Sequence, residues 1–299
     1  MNFLNKLLAI LDTKMDAPAS YGWFHIFFFA LSVIGAIILC ATHKKAKPTR
    51  VRNLIFWTSV VVLILEVYKQ INYTFSYGDA ITADFQWYAF PWQFCSMPMY
   101  VGLLTGIFKK GKVYDALLAF LATYSTFAGL CVMLYPNDVF CRVLGINIQT
   151  MICHGTMITI GVYLLYSNHV KLEHRTMPKA MSVFASAMAL AMIFNEIAHR
   201  SGLEETFNMF FISPYHEPSL PVYSSVQAVI PFPWCTIIYF LAFSLASYVI
   251  LLAAMAIKKI ASTIKNAFAK PLIFPPMLSY ILIISFNEIK CTYIILLFY

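Results

Sequence analysis

Long apolar runs separated by short basic loops constrain this chain more than any other feature. Of its 299 residues, 61% are hydrophobic and 11% are charged, against about 25% charged in soluble domains. Backbone groups in lipid find no water to bond, so such runs are stable only as helices or as closed barrels. No alternating pattern of about ten residues suggests barrel strands. The expected fold is all-α, a polytopic membrane bundle of about seven transmembrane helices of roughly 20 residues each.

The runs read as Gly22 to Thr42, Asn53 to about Tyr73, about Pro91 to Phe108, Val113 to Leu134, Ile146 to Ser167, Lys179 to Ala198 and Trp234 to Ile257. Most of the Lys and Arg residues fall in every second loop, around Lys44–Arg52, Lys109–Lys112 and Lys171–Lys179, or after the last run, at Lys258, Lys259, Lys265 and Lys270. By the positive-inside rule the N-terminus is outside and the C-terminus cytoplasmic. The net charge of +8 then reports membrane orientation, and no nucleic-acid partner is expected. The expected organisation is an N-terminal tail over 1–20, uncleaved because no small-residue cleavage site follows its short apolar run. A seven-helix domain over 21–258 comes next, with an outer proline-rich loop or lid at 200–233, and then a basic and finally apolar tail over 259–299. The seven cysteines form no CxxC pair and lie mostly inside apolar runs, so neither a disulfide framework, a metal site nor a cofactor is expected. Cys131 and Cys141, flanking one outer loop, are the one pair placed to bond in an oxidising space.

Ionisable side chains inside a membrane are costly, so each asks for a reason. In the second run Ser59, Glu66, Lys69, Gln70 and Tyr73 share one helical face. Asn147, Thr150 and His154 form a similar stripe in the fifth. Glu66 and His154 each lie roughly 10 Å from the outer end, and Cys95 about 6 Å, at 1.5 Å per residue. Asn195 and Glu196 close the sixth run at the same level. Each has a plainer reading: cysteine as a small hydrophobe, His154 as a hydrogen-bonded packing residue, and Glu66 as the partner of Lys69 one turn on. Cys153 points to another face than His154 and reads as filler. Together, a thiol, an imidazole and a carboxylate at one depth suit nucleophilic acyl transfer. The thiolate attacks an ester carbonyl, the imidazole carries the proton, Glu66 or an amide orients the imidazole, and Gln93 donates to the developing oxyanion.

The segment Phe90-Pro91-Trp92-Gln93-Phe94-Cys95-Ser96 resembles the Leu-Pro-Leu-His/Gln-Leu-Cys signature of YwaF-type bacterial integral membrane proteins, which are related to the transmembrane protein 164 family. Asn208-Met209-Phe210, Glu217-Pro218-Ser219-Leu220 and Pro231-Phe232-Pro233-Trp234 resemble that family's further anchors. Trp92, Glu217 and Phe232 depart from its usual residues. The resemblance spans roughly 20–258. It implies a lipid acyltransferase or transacylase with Cys95 as nucleophile and His154 as base, with Glu66, Gln93, Lys69, Gln70, Asn147, Thr150, Asn195 and Asn208 in support. It also implies a membrane phospholipid or other acylated lipid as partner, in a bacterial plasma membrane. Two other readings share these residues: a small-ligand binding or transport protein using the same polar pocket, and a scaffold or sensor.

Overall fold

A computed structural model of the chain describes residues 3–136, 139–203, 207–217 and 220–269. The apolar tail at 271–299 lies outside them. Two compact units are present, residues 1–255 and 256–299. The second, as far as it is described, is the exposed C-terminal part of a long helix carrying Lys258, Lys259 and Lys265.

The first unit is a helical bundle. Its helices are α1 (Phe3–Leu11), α2 (Trp23–Thr42), α3 (Pro48–Thr74), α4 (Met97–Ile107), α5 (Lys112–Phe120), α6 (Thr126–Leu134), α7 (Leu144–Tyr166), α8 (Thr176–Arg200), α9 (Pro221–Val229) and the start of α10 (Trp234–Ala269). Among the described residues the strand content is one short antiparallel pair, β1 (Phe75–Ser76) with β2 (Thr82–Ala83). Among the described residues six helical segments are long and apolar enough to cross a membrane: α2, α3, α5 through α6, α7, α8 and α10. The α5–α6 segment and α7 are buried over 72% and 67% of their apolar windows, against 17–28% for the other four. These two therefore form the centre, and the rest turn a broad apolar face outward, as lipid-facing helices do.

The third expected span differs from the others. Instead of one helix from Pro91 it consists of two 3₁₀ turns, Trp87–Ala89 and Phe94–Ser96, leading into the 11-residue α4. At 1.5 Å per residue α4 is about 16 Å long, half a hydrocarbon core of about 30 Å. Pro91 and Pro98 give the reason: neither has an N–H to donate, and proline is tolerated in helices chiefly in the first turn, where Pro98 stands. Irregular backbone at membrane depth is tolerated where protein covers it. Here the cover is the segment 207–213, whose Phe207, Met209, Phe210, Ile212 and Ser213 are all buried. This 207–213 part of the expected outer segment is packed into the loop-rich end of the bundle, opposite the basic loops.

Close approach of backbones sets the short helix in place. A Cβ on Gly102 would run into Ser59 Oγ, and one on Gly106 would sit 2.8 Å from the Phe56 ring at Cε2. Gly102 and Gly106 make a small-xxx-small stripe against α3, the arrangement that lets membrane helices gain van der Waals contact without a hydrophobic driving force. Gly129 does the same for α6 on α7, where an added Cβ would lie 2.8 Å from the His154 carbonyl oxygen. An aromatic core of Phe94, Phe120, Tyr124, Phe184, Phe210 and Phe243 fills the space between α8, α10 and the centre. Tyr124 and Ser244 share a hydrogen bond of 2.7 Å there.

The N-terminal tail is folded: Tyr68 Oη and Asn72 Nδ2 donate to the Leu11 carbonyl, and Met15 N–H donates to Arg142 O. Cys131 and Cys141 are both free thiols. Cys141 instead has its backbone held by Asn147.

Candidate functional site

Cys95 sits in the second 3₁₀ turn, at the joint between the irregular entry and α4. Its side chain is exposed and lines a crevice between α3, α4 and α7. Ser59, Met99, Leu121, Ser125 and Cys153 line the same crevice. About 30 Å³ of it is open to water-sized spheres, room for one or two waters. Leu121 and Ser125 belong to a π-helical turn, Leu121–Ser125, between α5 and α6. Such single wide turns recur at functional sites because they re-aim a short run of side chains.

Glu66 lies about 12 Å from the end of α3, at 1.5 Å per residue, and is 6% exposed. Its Oε1 accepts from Lys69 Nζ at 2.7 Å and from Gln70 Nε2 at 2.8 Å. Its Oε2 meets only a long contact from Gln149 Nε2, 3.4 Å. Gln70 also donates to Ala89 O at 2.8 Å, which ties α3 to the entry of α4. The expected pairing of Glu66 with Lys69 is present, and it belongs to a larger network. Gln149 Nε2 reaches Cys153 Sγ at 3.5 Å, and Thr150 Oγ1 donates to Gln149 Oε1 at 3.3 Å. Lys69 and Glu66 both lie within electrostatic range of Cys95 and of Cys153. Lys69 is also within that range of His154. The lysine is therefore the shared neighbour of the thiols and the imidazole.

His154 is buried in α7, about 15 Å from that helix's first residue at 1.5 Å per residue. Its Nδ1 lies 2.8 Å from Thr150 O, and its Nε2 is buried with no hydrogen-bond partner. A carbonyl only accepts, so Nδ1 carries the proton, and the neutral ring leaves Nε2 as a bare base. That is the tautomer a general base needs. No hydrogen bond joins His154 to Cys95. Cys153, which the sequence marks as filler, shares the crevice with Cys95 instead.

The remaining polar residues do another job. Gln93 donates from Nε2 to Asn208 O at 3.0 Å and accepts at Oε1 from Phe210 N–H at 2.9 Å. Asn195 donates to Met209 O at 3.1 Å and accepts from Met209 N–H at 2.7 Å. Asn208 Oδ1 accepts from Ser213 N–H at 2.9 Å. Asn147 brackets Cys141 in the same way, 2.8 Å to its O and 2.9 Å from its N. These four carboxamides clamp the backbone of the loop-rich end. Gln93 thus has both ends of its amide engaged, where an oxyanion donor was expected. Phe210 and Phe211 have φ of 58°, a left-handed conformation that is costly for bulky residues and persists only when the surroundings over-determine it. The clamps on 208 to 210 supply that constraint. Trp92, a departure from the resembled signature, donates from Nε1 to Ala187 O at 3.3 Å and packs on Tyr100 and Phe194.

Gln149 and Cys153 are the residues that sequence reasoning missed. Their signal was the i, i+4 spacing that puts both on one face of α7, toward Glu66. Among the described residues no group of three or more His, Cys, Asp and Glu is arranged to hold a metal.

Comparison with known proteins gives one match. A family model described as the TMEM164 family covers residues 20–257. No curated protein matches the chain, and no solved structure does.

Proposed function

The chain belongs to the TMEM164 family and is an integral, multi-pass membrane protein, and from that premise we propose that it transfers an acyl chain between lipids through Cys95. The observation that carries this reading is the placement of a thiol in a crevice between α3, α4 and α7, within electrostatic range of a lysine–glutamate pair. Of the two charges near Cys95, Lys69 favours the thiolate, which is the nucleophile, and Glu66 opposes it.

The steps balance as follows. His154 Nε2 takes the Cys95 proton, and the sulfur attacks an ester carbonyl of the donor lipid. The C–S bond forms, the ester C–O bond breaks, and the proton returns to the departing alkoxide. In the second half an acceptor hydroxyl gives its proton to Nε2 and attacks the thioester. The new C–O bond forms, the C–S bond breaks, and the thiolate is reprotonated. Lys69 stabilises the negative charge on sulfur and on the tetrahedral oxygen. Glu66 holds Lys69, and Gln149 holds Glu66 against the Cys153 face of α7. The proton transfer requires the His154 ring to leave Thr150 O and reach Cys95 once lipid is bound, since no hydrogen bond joins the two side chains here. We assign the loop-rich end to the extracytoplasmic side of the plasma membrane, from the basic loops at the other end.

The test is acyl exchange between a labelled diacyl lipid and a lysolipid in nanodiscs. Cys95→Ala is expected to abolish exchange. His154→Asn, whose amide still donates to Thr150 O, is expected to lower it by about 10²–10⁴-fold, the range of general-base loss. Cys153→Ala is expected to keep it. Full exchange by Cys95→Ala defeats the reading and leaves a small-ligand binding or transport pocket as the account of the same residues.

A further inference from the structure

A second hollow lies beside the crevice and is absent from the acyl-transfer steps above. It is a groove of ≈ 250 Å³ between α3 and the entry of α4, near the lower end for small-ligand sites. Leu63, Val67, Ile71 and Phe75 form its apolar wall, and Glu66 and Gln70 stand in it. Val67 is half-exposed and Ile64 beside it is more so, so the groove opens sideways, where a spanning helix meets bilayer chains. Water has little reason to fill such a wall, and the material at that depth is lipid. Glu66 is more than nine-tenths buried, and its Oε2 carries a single long contact. A carboxylate oxygen has about two acceptor sites, so an acceptor there is left for a donor. Met99 lines both the groove and the crevice that holds Cys95. Methionine is unbranched and adaptable, a wall that yields.

We propose that this groove is a lateral port that takes one chain of a bilayer lipid, with a hydroxyl at the chain's polar end donating to Glu66 Oε2 and Met99 forming the partition from the Cys95 crevice. The port stands on its own geometry; joined to the acyl-transfer reading, it is where the acceptor lipid waits. The hydroxyl oxygen then lies on the far side of one flexible side chain from the sulfur.

The experiment uses the full chain in phosphatidylcholine nanodiscs and two photoreactive probes, a diazirine-bearing hexadecanol and its methyl ether. Cross-linked peptides are mapped by mass spectrometry. The port predicts labelling concentrated over residues 63–75 and 91–100, with the alcohol favoured over the ether roughly tenfold, as one hydrogen bond to a charged acceptor gives. Val67→Trp, which fills the groove from its exposed side, is expected to remove that labelling. Val249→Trp, on the outward face of α10, is expected to leave it intact. Glu66→Gln is expected to narrow the preference for the alcohol. Labelling spread over α2 and α8 in proportion to their exposure, or equal labelling by the two probes, or labelling that survives Val67→Trp, overturns the port. Cys95→Ala separates the two claims: it leaves the cross-links of a true port in place whether or not exchange is lost.

Discussion

Carboxamides bonded to backbone on both sides are expensive to lose. Asn195 is 2% exposed and satisfies both the N–H and the C=O of Met209. Asn195→Ala leaves those two groups buried and unpaired, and the expected loss is about 3 kcal/mol, read as a lowered thermal midpoint in detergent. A midpoint within error of the parent chain would remove Asn195 from the clamp. At this scale the sequence was partly legible. The spacing of Glu66 and Lys69 by three positions set them on one face, and they do pair. Position along the chain also put Asn147 and Asn195 toward the outer ends of their runs. It did not separate catalytic polar groups from clamping ones, because residue type and depth are the same for both. What distinguishes them is which backbone they face, and irregular backbone such as 207–213 leaves no periodic trace in a sequence. The place of Cys153 in the crevice was not legible for a related reason: helical phase tells which residues share a face, but not which face the neighbouring helix presents.

Among the elements, α4 is the one whose form governs the site. Its shortness makes room for the 3₁₀ turn that carries Cys95, and its glycines bring it close enough to α3 for Glu66 and the thiol to sense each other. Gly102→Ala drives a methyl into Ser59 Oγ and is expected to cost about 1–3 kcal/mol, as overpacking does. Ser59→Gly in the same chain vacates that space. A double mutant that regains a good part of the lost stability identifies the contact; simple additivity would show that the two residues do not meet. Six of the seven runs fold as helices among the described residues, with α10 running on to Ala269 past the expected Ile257, since a period of apolar residues over twenty positions leaves little else to do in lipid. The third broke the pattern at Pro91 and Pro98, and both signals were present in the sequence. Helix α3 begins earlier than its run suggests, with Pro48 in its first turn, so Arg50 and Arg52 lie on the helix rather than in a loop.

The first unit places its polar, irregular layer at one end and its basic loops at the other. This polarity gives a sidedness that single-cysteine labelling reads directly. Lys45 and Asp79 are both exposed. With the assigned orientation, Asp79→Cys reacts with an impermeant maleimide in intact cells, and Lys45→Cys reacts only after permeabilisation, each against the parent chain as background. The reverse pattern would put the site on the cytoplasmic leaflet. The central claim is chemical and rests on one sulfur atom. The measurement closest to it is the mass of the peptide containing Cys95, taken from protein quenched in acid after incubation with a diacyl lipid. The account predicts an added acyl chain on that peptide, removable by neutral hydroxylamine and missing from the matching peptide of Cys95→Ala. An unmodified Cys95 in protein that still exchanges acyl chains would contradict it.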